Sequence, residues 1–188
     1  MISFSSLKRF FTLRRIRRRD ARRDVSKLRF YNGGEIKKLH ILCAVNKRNP
    51  AQSKQYYKEL SEILDDCGRR GVKARATVFV RRSTAYTNRF GIQNIARSDC
   101  RMLSYVPRRA FVDFFNREKD EVVLNLTTKT FYALEYLVAQ SDAPFRVGLQ
   151  RSDQGARYDF LVRVQDEDSL SELYKQVFFY LDKINSRG

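Results

Sequence analysis

The chain has 188 residues, 43% hydrophobic and 31% charged, which is enough apolar matter for one packed domain and excludes global disorder. With 3 Pro and 8 Gly against 14 Phe and 10 Tyr, it is neither fibrous nor dominated by loops. A formal net charge of +17 points to an anionic partner (nucleic acid, an anionic membrane surface or an acidic protein) and is silent on fold.

The charge is segregated. Residues 1–30 hold 11 Lys/Arg against 2 Asp, and residues 69–109 hold 11 Lys/Arg against one acid. The remainder is close to neutral, so two basic blocks sit on an otherwise balanced body.

In chain order, residues 5–29 read as a helix. Ala21, Val25 and Leu28 fall at i, i+4, i+7 and make a narrow apolar stripe, with Phe4, Leu7 and Phe11 as a second short one. The Arg-rich, Ser-containing start is superficially like a mitochondrial transit peptide, but Asp20 and Asp24 interrupt it and such peptides are poor in acids. Asn32-Gly33-Gly34 is a break. It suggests a basic helical extension over 1–32 and a single α/β domain over 33–188.

Leu39–Val45 is apolar on both faces, the mark of a strand buried between two layers. Asn49-Pro50 opens a helix carrying Tyr57, Leu60, Ile63, Leu64 and Cys67, closed by Gly68 or Gly71. Val72–Val80 alternates as a second strand. Residues 83–104 give a weak signal, with one short strand expected near Met102-Leu103, and Pro107–Asn116 reads as a short helix. Glu121–Leu126 is a clear strand. Thr127–Thr130 leads into a helix with Phe131, Leu134, Leu137 and Val138, which Thr127 or Thr128 is placed to cap. Phe145–Leu149 and Tyr158–Val164 are further strands, and Asp166-Glu167-Asp168 opens a last helix.

This alternation predicts a three-layer α/β fold with a mainly parallel, flavodoxin- or Rossmann-like sheet. The short polar link around Asp153 and Gly155 predicts that the last two strands form an antiparallel edge hairpin.

Four stretches resemble a bacterial family of uncharacterised function: Val-Val-Leu-Asn-Leu at 122–126 with the helix after it, Ala-Pro-Phe-Arg-Val-Gly at 143–148, Tyr-Asp-Phe-Leu-Val at 158–162, and the basic N-terminal helix. The resemblance covers most of the chain through structural motifs. It implies a compact cytoplasmic α/β domain and no particular activity.

Catalytic residues are not found. The single histidine, His40, lies inside an apolar strand, which suits a satisfied core histidine better than a general base. Cys43, Cys67 and Cys100 are odd in number and dispersed, so neither zinc spacing nor disulfide pairing emerges, and a reducing compartment fits. No phosphate loop follows the first strand, and no cofactor or metal is expected. Whether the chain is an enzyme stays open, and the reading leans to a non-catalytic binding protein.

The expected partner is RNA or the ribosome. Arg14, Arg15, Arg17, Arg18, Arg19, Arg22, Arg23, Arg69, Arg70, Arg75, Arg81, Arg82 and Arg89 are the candidate contacts, since guanidinium groups fork onto phosphates and stack on bases. Two alternatives stand beside it. One is a peripheral membrane protein, with Phe4, Leu7, Phe10, Phe11 and Leu13 beside the arginines on an interfacial helix. The other is a phosphate- or nucleotide-binding protein using Lys47, Arg48, Thr127, Thr128 and Lys129 at the carboxyl ends of the strands.

Overall fold

The computed structural model describes residues 4–45, 50–80, 91–102, 104–164 and 169–184. Six strands form one sheet: β1 (Lys38–Val45), β2 (Lys73–Val80), β3 (Ile92–Ala96), β4 (Val122–Asn125), β5 (Phe145–Leu149) and β6 (Phe160–Val162). Their spatial order is β3-β2-β1-β4-β5-β6 and every pairing is parallel. The helices are α1 (Phe4–Asp20), α2 (Pro50–Arg69), α3 (Arg109–Phe115), α4 (Tyr132–Gln140) and α5 (Leu170–Leu181).

The period of two along each strand divides the core. Leu39, Ile41, Cys43, Ala76, Val78, Val122, Leu124 and Val147 point to one face, where Leu60 and Ile63 of α2 and Leu173 and Val177 of α5 cover them. Leu42 and Val123 point to the other face, with Ile16 of α1, Phe115 of α3 and Leu134 and Leu137 of α4. The α/β expectation holds. All three cysteines are buried and free, and burial pushes the Cys43 thiol up to about 12, which suits an inert packing role.

The expected antiparallel edge hairpin is corrected: β6 pairs parallel to β5, Val147 facing Phe160 and Leu149 facing Val162. The connection runs from Gln150 to Asp159 without a helix. Ten extended residues reach roughly 33 Å, ample to return alongside a strand of about 17 Å. The loop is fastened to α4, where the Glu135 carboxylate accepts the backbone N–H groups of Gly155 (3.0 Å) and Ala156 (2.8 Å). It crosses on the α4 face, the side a right-handed crossover from β5 to β6 requires.

A crossover helix is therefore missing from that side of β5 and β6, and α1 fills the place. Helix α1 lies beside α4 and points the same way, with Arg9 over the Tyr132 ring at one end and Arg19 near Asp142 (3.7 Å) at the other. The expected helix over 5–29 stops at Asp20, and its stripe is not Ala21, Val25 and Leu28: Val25 is 70% exposed. The buried side is Thr12, Ile16 and Asp20, again at i, i+4, i+8.

Other boundaries moved for local reasons. The weak region holds β3 at Ile92–Ala96, and Met102 is exposed. The cap of α4 is Phe131. Ser169 caps α5 in a reciprocal box with Glu172, while Asp166, Glu167 and Asp168 lie outside the described residues.

Candidate functional site

Helix α1 is held by charge buried against the sheet. Asp20 accepts from Arg146 Nη1 on β5 (2.9 Å) and from the Arg157 backbone N–H (3.0 Å). Arg146, 2% exposed, also donates to the Ala139 and Ser141 carbonyls at the end of α4. Arg23 forks onto Asp159 (2.6 and 2.8 Å) and reaches the Pro144 carbonyl (3.0 Å). Thr12 Oγ1 donates to the Lys8 carbonyl and accepts the Tyr105 N–H (3.0 Å). An arginine inside an apolar strand, Phe-Arg-Val-Gly-Leu, is the sequence signal of this seat.

With Thr12, Ile16 and Asp20 inward, the ~3.6-residue period turns Leu7, Phe10, Phe11, Arg14, Arg17 and Arg18 outward, and all six are exposed. Arg14, Arg15, Arg17, Arg18 and Arg22 have no carboxylate in ion-pair range among the described residues. Arg19 is loosely paired with Asp142, and Arg23 is committed to Asp159.

The two basic blocks meet at one point. Arg9 lies over Tyr132 (5.5 Å), Tyr132 packs against Tyr105 (5.7 Å between centroids), and Arg97 lies over Tyr105 (4.5 Å). Arg97 also donates to the Ser104 carbonyl (2.7 Å). This ladder of two arginines and two tyrosines borders the α1 surface. Composition showed that aromatics accompany the charge, but nothing in the sequence spacing pairs these four.

The other candidate residues fall elsewhere. Arg69 and Arg70 end α2 on the opposite sheet face, both bonded to Asp66. Arg75 points to the α1 face of the sheet beside α3, where it binds Asp120. Arg81, Arg82, Arg89, Lys47 and Arg48 lie outside the described residues. Thr127 is buried, its hydroxyl donating to Asn125 Oδ1 (2.8 Å) and accepting from Arg151 Nη1 (2.6 Å). Arg151 also approaches the Lys129 carbonyl, so the chain's own guanidinium fills the crevice beside Thr127 and Lys129. Thr128 is half-buried next to it.

Behind that crevice Glu135, fully buried, is saturated. Besides the loop N–H groups it accepts from Arg151 Nη2 and from Tyr158 Oη (2.8 Å). Asn125 donates to the same carboxylate (3.2 Å) and to Tyr158 Oη (2.7 Å). Burial, and then the Glu135 charge, push the Tyr158 phenol far above its ordinary range, so it stays protonated.

No helix among the described residues is long and apolar enough to cross a membrane. Residues 8–184 match the sequence family described as a family of unknown function (DUF6913). No curated protein matches the chain.

Proposed function

The chain belongs to that family of unknown function, and we propose from its geometry that it is a non-catalytic protein that binds structured RNA through the outward surface of α1. One observation carries the reading: guanidinium groups without acidic partners among the described residues project from a helix whose opposite side is anchored in the domain. A fixed row of arginines meets a phosphate backbone without the ordering cost that a free basic tail incurs. Phe10 and Phe11 add planar surfaces on which unpaired bases stack. A ribosomal site and a cytoplasmic setting belong to the same proposal.

A second reading has its own observation. Leu7, Phe10 and Phe11 are 43%, 58% and 42% exposed on the same outward strip, and an apolar patch beside arginines suits the surface of an anionic bilayer.

The test is binding of the full chain to a fluorescent RNA stem-loop across a salt series, beside Arg14→Gln/Arg17→Gln/Arg18→Gln. The substituted side chains are exposed, so the fold is preserved. The slope of log K against log salt is expected to shallow by about 2–3 in the triple variant. An unchanged slope, or no binding at low salt, overturns the RNA reading. Phosphatidylserine vesicles that retain the chain through Phe10 and Phe11 would establish the second.

A further inference from the structure

The outward strip of α1 changes character along the helix axis. Leu7, Phe10 and Phe11 come first, and Arg14, Arg17 and Arg18 follow. At a rise of ~1.5 Å per residue, about 6 Å separates Phe10 from Arg14 along the axis. The two phenyl rings touch edge to face, their centroids 5.8 Å apart, and both stand in solvent. The domain takes up Thr12, Ile16 and Asp20 and leaves these larger apolar groups outside. Adjacent exposed rings on a side that packs on nothing mark a surface for binding, not for the core.

The seat of α1 decides what that surface reaches. The helix lies along α4, with Arg9 over Tyr132 near one end and Arg19 beside Asp142 at the other, while Ile16 and Asp20 sink into the domain. The major groove of an RNA duplex is deep and narrow, beyond the reach of side chains on a helix seated in this way. The arginine end therefore meets phosphates and does not read paired bases. The ring faces of paired bases are covered by their neighbours in the stack. Phe10 and Phe11 thus find no stacking partner within a duplex and need bases freed from pairing.

We infer that α1 recognises a junction between double- and single-stranded RNA: Arg14, Arg17 and Arg18 lie on the duplex phosphates, and the first unpaired bases beyond the duplex end stack on Phe10 and Phe11. This inference rests on the reading of α1 as an RNA-binding surface and names the kind of RNA. The six side chains form one continuous strip, so both parts engage a single molecule. From Phe10 to Arg18 the strip runs roughly 12 Å, a span of only a few nucleotides along one strand. Arg9, exposed at the aromatic end, supplies charge for the phosphates of the unpaired segment. A helix built for a bilayer surface keeps its apolar face along its whole length. Here the strip is apolar only as far as Phe11, and guanidinium groups follow alone.

Fluorescence titration of the full chain at one salt concentration tests the inference with RNAs of equal phosphate number: a blunt duplex, duplexes with a short 5′ or 3′ overhang, and a single strand without secondary structure. At least one overhang RNA is expected to bind about tenfold tighter than both the blunt duplex and the single strand, the effect of one or two stacked bases. Phe10→Gln/Phe11→Gln replaces exposed side chains with a good helix former and is expected to bring that ratio down to about one. Arg14→Gln/Arg17→Gln/Arg18→Gln is expected to weaken overhang and blunt duplexes by the same factor and so keep the ratio. Equal affinity for overhang and blunt duplexes overturns the junction while the RNA reading stands. So does a single strand that binds as tightly as the overhang RNA, or a preference that survives in the phenylalanine variant. No binding of any of these RNAs at low salt removes both readings.

Discussion

The two halves of the α1 face solve the same problem differently. Both bury an acid beside an arginine: Glu135 with Arg151 over β4 and β5, and Asp120 with Arg75 over β1 and β2. In the first half α4, α1 and the β5–β6 loop close over the pair, and Glu135 receives two backbone N–H groups, a phenol, an amide and a guanidinium. In the second, the short α3 leaves a cavity, and Gln93 keeps an acceptor unsatisfied. Both halves keep buried groups without a partner among the described residues, Arg146 Nε and Arg151 Nε in the first and Gln93 Oε1 in the second, so what separates them is closure: the first is covered and the second stands open.

Substitutions can break this contrast. Glu135→Gln strips the charge that compensates Arg151, whose side chain is 5% exposed, and is expected to cost about 3–5 kcal/mol in urea unfolding. Asp120→Asn, whose arginine is 16% exposed and borders the cavity, is expected to cost only about 1–3 kcal/mol. Equal losses would erase the distinction between the two halves.

The open half also has a pH signature. In the unfolded chain His40 takes up a proton near its ordinary 6.5, whereas in the fold it does so only at about 4. The unfolded state therefore binds more protons between those values, and stability falls as pH drops through that window. The loss tends toward about 3 kcal/mol at the acid end. Urea titrations at pH 7, 5.5 and 4 are expected to show this slope in the native chain and to lack its His40 share in His40→Gln.

A smaller effect sharpens the closed half. A methyl group on Gly148 would stand 2.6 Å from the Tyr158 ring, so Gly148→Ala must push the ring off Glu135. About 1–3 kcal/mol is expected from thermal unfolding, together with easier exchange of the Gly155 and Ala156 amides.

Much of this architecture was legible in the residues. Leu39–Val45 and Val122–Leu126 announce buried strands because both of their faces are largely apolar, and Val72–Val80 announces itself by alternation. What escaped is polar burial. β3 reads Ile-Gln-Asn-Ile-Ala, and its Gln93 borders the cavity while Asn94 bonds Tyr57 on the opposite face (2.7 Å). The α1 seat is Thr12, Ile16 and Asp20, a stripe that apolar periodicity does not detect because its energy comes from a carboxylate 126 residues away from its arginine. The β6 direction was misread because a ten-residue link serves either a wide hairpin or a helix-free crossover. Only the docking of Gly155 and Ala156 on Glu135 selects the second. The arginine surface was visible as charge, but its division between two sheet faces was not.

The position of α1 in the chain bears on how the protein comes to be folded. Helix α1 is synthesised before the strands it packs on and sits where a helix between β5 and β6 would normally lie, and its anchors are Arg146 and Asp159. At ordinary translation speeds Asp20 waits roughly 6–25 s for Arg146 to be made. Through that interval its arginines are accessible on a segment with no seat. Pairings so distant in sequence form slowly, so docking of α1 is expected to be the closing event of folding, clasping the edge of a sheet already assembled.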